Sequence, residues 1–126
     1  MIVTKRIYEP VDERDGYRVL IDRLWPRGVS KTAAHLDEWA KAIAPSNELR
    51  HWYGHDPAKW DEFQRRYAEE LENPEAQAVL DALAKRGRRG RVTLLYSAKH
   101  GAISNAEALL QLLEARAGRT QAAAHR

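Results

Sequence analysis

A small three-layer α/β domain on a short, mostly parallel sheet is the fold this sequence predicts, and three observations predict it. Two runs, Tyr17-Arg18-Val19-Leu20-Ile21 and Val92-Thr93-Leu94-Leu95-Tyr96, are apolar nearly throughout, as strands covered on both faces are. Segments with clear helix-start chemistry separate and follow them. The chain has 126 residues, a usual size for one domain, and that length buries roughly two thirds of the unfolded surface around one core.

In order, Ile2, Val3, Ile7 and Tyr8 around Thr4-Lys5-Arg6 mark a first strand, and Glu9 to Gly16, with Pro10 and Asp15-Gly16, a loop after it. That loop is too short for a crossover helix. It leaves an antiparallel pair or a parallel pair on an unusually tight connection. Tyr17 to Ile21 is the central strand. Leu36 to Ile43 fits helical spacing through Leu36, Trp39, Ala40 and Ile43 and fits strand alternation less well, so both stay open. Pro45 stops it, and Ser46 caps a short helix from Asn47 to about Tyr53, closed by Gly54.

Asp56-Pro57 starts a helix to about Glu72. Its buried stripe is Trp60, Phe63, Tyr67 and Leu71, with Asp61–Arg65 and Glu62–Arg66 as outer i,i+4 pairs. Asn73-Pro74 repeats the start signal, and Gly87 ends the helix that follows. Val92 to Tyr96 is a buried strand and Ser97 to Ile103 a polar turn. Ser104-Asn105-Ala106-Glu107 is a capping box for a last helix carried by Leu109, Leu110, Leu112 and Leu113 to Gly118. One domain over residues 1–118 follows, with 119–126 as a frayed tail.

Composition excludes several function classes. Lys and Arg number 21 against 18 Asp and Glu, and the net charge of +3 is too small to hold nucleic acid by itself. Cysteine is absent, which removes disulfides, thiolate catalysis and cysteine-held metals. No apolar run approaches a membrane span and the N-terminus has no signal-peptide pattern, so a cytoplasmic location without membrane contact is expected. The dinucleotide fingerprint, the P-loop and the Gly-x-Ser-x-Gly elbow are all missing, and no cofactor is expected.

The stretch from Asp22 to Lys31 has the composition of a site. A plain turn uses Pro26 and Gly28 but has no need of Arg23, Arg27 and Lys31 beside Trp25, whereas an anion uses every one of them. Ligands of open α/β sheets bind beyond the carboxyl ends of the strands. If the two buried strands run parallel, this loop meets Ser97, Lys99, His100 and the start of the last helix at Asn105, where free N–H groups and the helix dipole favour an anion. Trp52 is a second candidate wall, and Asp22 or His55 the candidate proton carrier. A plainer reading also stands: Arg23 paired to Asp22 or Asp37, Trp25-Pro26 a packed corner, Ser104 and Asn105 capping groups.

His51 and His55 have metal-ligand spacing, but Gly54 and the cap at Asp56 break the helix between them, so no metal site is expected. Arg86 to Arg91 is a basic loop, a solvated surface or a contact for phosphates, with no nucleic-acid module beside it. The expected activity is binding of, or action on, a small phosphate- or carboxylate-bearing molecule. A nucleic-acid-associated accessory role is the alternative.

Arg6-Ile7-Tyr8, Asp15-Gly16-Tyr17-Arg18, Val19 to Gly28 with its Asp-Arg-Leu-Trp-Pro-Arg-Gly run, Ala44-Pro45-Ser46, Leu49-Arg50, His55-Asp56-Pro57, Tyr67 to Leu71 and Thr93 to Ala98 together resemble the YeaO-like branch of the DUF488 family. The resemblance spans the chain to about Glu114. It implies a small cytoplasmic prokaryotic protein with a Rossmann-like layered architecture. The family is one of unknown function, so the resemblance brings no catalytic residues.

Overall fold

A computed structural model describes the backbone of residues 1–124 and the side chains of residues 1–116. Its sheet has four strands, β1 (Ile2–Arg6), β2 (Tyr17–Leu20), β3 (Glu38–Trp39) and β4 (Val92–Tyr96), in the order β1-β4-β2-β3. Every pairing is parallel, with Ile2 and Tyr17 both opposite Val92. The helices are α1 (Lys31–Ala34), α2 (Asn47–Tyr53), α3 (Trp60–Glu70), α4 (Pro74–Arg89) and α5 (Asn105–Ala124). This is a small α/β domain.

β1 and β2 are parallel but never pair, because β4 lies between them. The chain returns from one to the other through a loop holding a single 3-10 turn, Glu13–Asp15. About ten extended residues reach roughly 33 Å, twice the roughly 17 Å length of a five-residue strand, so no crossover helix is required. Gly16 completes the return at φ 65°, where a Cβ would lie 2.3 Å from the Arg91 carbonyl oxygen. Only glycine fits there.

Alternation along β2 and β4 divides the core. Val19, Ile21, Val92, Leu94 and Tyr96 share one cluster with Phe63, Tyr67, Leu80, Leu83, Leu109 and Leu113 from α3, α4 and α5. Leu20 and Leu95 belong to a second, smaller cluster with Ile7 and Ala34, packed by Trp25, Val29, Leu36 and Trp39. The three layers are therefore unequal: long helices cover one face, and α1 with its preceding loop covers the other. The thin side also holds a buried ion cluster, in which Asp15 pairs with Lys5 at 3.0 Å and with Arg18 at 2.6 Å. Arg18 also donates to the Ala34 carbonyl at 2.9 Å, tying β2 to α1.

Several elements depart from the sequence reading. Leu36 to Ile43 is neither a helix nor a long strand, but the two-residue edge strand β3 followed by a 3-10 turn, Lys41–Ile43. Gly87 does not end α4. It is buried, and a Cβ on it would sit 2.6 Å from Ile2 Cγ1, so glycine serves a close approach to β1 while the helix continues to Arg89. The run from Arg86 to Arg91 is thus mostly the last turn of α4. Arg65 pairs with Glu62 and Glu69, not Asp61. α5 continues past Gly118 to Ala124. The expected tail, 119–126, falls on residues whose side chains, and for His125 and Arg126 the backbone also, lie outside the described residues. Among the described residues no helix is long and apolar enough to cross a membrane.

Candidate functional site

β2 and β4 deliver Asp22 and Ser97 to the same edge of the sheet, and Asn105 opens α5 beside them. The Asp22 carboxylate accepts from the Ser97 N–H at 2.9 Å, the Ser97 hydroxyl at 2.8 Å and the Asn105 amide at 3.0 Å. The other Asn105 N–H reaches the Ile21 carbonyl at 3.2 Å. A carboxylate held by three donors fixes two strand ends and a helix start in one geometry.

Above this brace lies a cavity of about 570 Å³, within the range of small-molecule sites. Its walls are aromatic. Tyr53 and Phe63 stack with centroids 4.1 Å apart, and Trp25 meets Trp39 edge to face at 5.2 Å. The polar tips of the lining rings turn away to backbone carbonyls: Tyr8 donates to Arg27 at 3.0 Å, Trp25 to Val29 at 2.6 Å and Tyr53 to Ile103 at 2.8 Å. Burial, and next the charge of Asp56, push the Tyr53 phenol above its usual range, which keeps it a donor. The mouth is cationic and exposed, formed by Arg27 and Arg50 with His51 and His55. Neither arginine is in an ion pair among the described residues.

Of the residues singled out from sequence, Asp22, Trp25, Arg27, His55, Ser97 and Asn105 line this cavity. Arg23, Lys31, Trp52 and Lys99 do not. Arg23 is not paired to Asp22 or Asp37; its guanidinium donates to the carbonyls of Pro45 at 3.2 Å and Ala44 at 3.3 Å. Lys31 opens α1 and is exposed. Trp52 lies under Arg66 and Lys59, at 4.1 and 5.1 Å from its ring. Lys99 is exposed in the turn after β4. Among the described residues no three His, Asp or Glu side chains gather to hold a metal ion.

A family model described as the inactive DUF488-N3 subclade matches residues 1–126. The chain belongs to that subclade. An uncharacterised protein of Mycobacterium tuberculosis and one of Mycobacterium bovis are each 46% identical over 111 residues, covering 88% of this chain and 92% of theirs. The uncharacterised YeaO of Escherichia coli is 44% identical over 99 residues, 79% of this chain and 84% of its own. No solved structure matches significantly.

Among the lining residues of this DUF488-N3 chain that the sequence reading did not assign to a ligand site are Tyr8, Arg50, His51 and Tyr53. Tyr8 follows β1, and the other three are on or at the end of α2, elements whose approach to Asp22 depends on long-range packing. The one local signal was the His51–His55 spacing. It brings two imidazoles to one mouth, and it does so through a turn: Gly54 and His55 have φ of 53° and 56°.

Proposed function

We propose that the cavity binds a small phosphate- or carboxylate-bearing molecule and holds it without chemical turnover. The observation that supports this best is the charge of the lining. Among the described residues, Arg27 and Arg50 stand at the mouth without carboxylate partners, and the one acidic lining residue, Asp22, is already held by Ser97 and Asn105. The subclade's description as inactive favours binding over catalysis, and Asp22 and His55 are then a brace and a mouth residue rather than proton carriers. The same proposal sets the protein in a cytoplasm, where phosphate esters are retained.

The test is an NMR titration with phenyl phosphate. Arg27→Ala and Arg50→Ala should each weaken binding by about tenfold or more, the effect of losing roughly 1.5–3 kcal/mol of charged hydrogen bonding, while the far-UV spectrum stays native. Binding unchanged in the double variant would remove the reading.

One observation keeps the nucleic-acid alternative. Arg88, Arg89 and Arg91 are exposed, outside any ion pair among the described residues, and next to the start of β4, opposite the cavity. Arg86 is less available, stacked on Tyr17 at 3.9 Å. Binding there should weaken steeply with salt and on neutralising Arg88 and Arg89 together. Salt-insensitive or absent binding would discard it.

A further inference from the structure

The cavity is polar at both ends and apolar between, and this ordering restricts its ligand beyond the sign of its charge. At the floor the half-buried Asp22 repels a second anion, because like charges at close range in a partly desolvated site oppose each other. At the mouth Arg27 and Arg50 attract one. Between them lie rings whose hydroxyl or indole donors already serve Arg27, Val29 and Ile103 carbonyls, so the rings offer only apolar surface. Leu24, 57% exposed, extends that surface to the rim. A bare oxyanion would leave it wet. Accepting the anion-binding reading above, we propose that the ligand is an aromatic monophosphate or monocarboxylate, its anionic head at Arg27 and Arg50 and its flat ring directed inward toward Asp22.

Matched pairs of probes separate head from body in calorimetry: phenyl phosphate with methyl phosphate, and benzoate with acetate. The ring-bearing member of at least one pair should bind ten or more times tighter, the pair that does so identifying the head. Leu24→Ser, at an exposed rim position where unfolding is not at stake, should narrow that difference several-fold by weakening the ring-bearing member. Equal affinity within both pairs would overturn the aromatic body while leaving a plain anion site. Phenol binding as tightly as phenyl phosphate, or none of the four anions binding, would overturn the anion reading itself.

Discussion

His55 carries a side chain through a backbone conformation that L-residues disfavour, with φ at 56°, at a cost of about 1–2 kcal/mol. Histidine tolerates this region better than β-branched residues do, yet glycine at the same place would be unstrained. Strain of this kind persists where the surroundings impose it, and it clusters at ligand sites. His55→Gly is therefore expected to stabilise the fold by about 0.5–1 kcal/mol, the strain relief less the added freedom of the unfolded chain, and to weaken binding of an anion at the cavity mouth. Thermal melting and a phenyl phosphate titration on the same variant check both halves. A lower melting temperature would mean that the ring's contact with Tyr53, 5.8 Å between centroids, outweighs the strain.

Within α4, two effects on Gly87 oppose each other and their sizes decide the result. Alanine in a helix interior is favoured over glycine by about 1 kcal/mol. A Cβ at position 87 would, however, lie 2.6 Å from Ile2 Cγ1 and 2.9 Å from Cδ1, and overpacking of a filled core costs roughly 1–3 kcal/mol. Gly87→Ala should destabilise by about 1 kcal/mol alone and stabilise when Ile2→Ala removes the obstructing atoms, a coupling that a denaturant double-mutant cycle measures. Additive effects would show that β1 moves aside freely. The same glycine shows which elements were legible. Ser46 and Asn73 mark α2 and α4 because a cap is local chemistry, each accepting the expected backbone N–H, and Asp56 caps a 3-10 turn, Pro57–Lys59, that leads into α3. Gly87 misleads because its reason lies 85 positions away in β1. β3 was unreadable for another cause: two residues are too short a run for any period to emerge.

Across the whole molecule, the sheet's composition was open to reading but its order was not. Tyr17 to Ile21 and Val92 to Tyr96 announce burial by themselves, whereas the insertion of β4 between β1 and β2 depends on pairings with no local trace. The candidate site divides the same way. Asp22 and Ser97 follow directly from strand ends, but Arg23, adjacent to Asp22, turns to the carbonyls of Ala44 and Pro45, a choice set by the third dimension.

The thin side of the sheet carries a buried ion cluster beside its apolar contacts, and this makes global stability depend on pH in a defined window. Asp15 is 6% exposed. Burial pushes its carboxyl upward, but the Asp12 N–H, Lys5 and Arg18 together outweigh that and hold it below the ordinary 3.8. A carboxylate with a depressed folded-state pKa contributes its full stabilisation above the unfolded value and loses it as pH falls through the folded one. Asp15→Asn, which leaves Lys5 and Arg18 facing a neutral amide, should therefore cost about 3 kcal/mol at pH 7, the usual result of removing one partner from a buried pair. That gap between wild type and variant should stay constant down to about pH 4 and then narrow. Asp12 and Glu62 are also held low, each chiefly by a hydrogen-bonded arginine, Glu62 at about 2, but both occur in wild type and variant alike and cancel. Urea titrations at steps from pH 7 to pH 2 measure the gap, and a difference that does not narrow in acid would show that the three-way cluster of Lys5, Asp15 and Arg18 contributes no pH-linked stability.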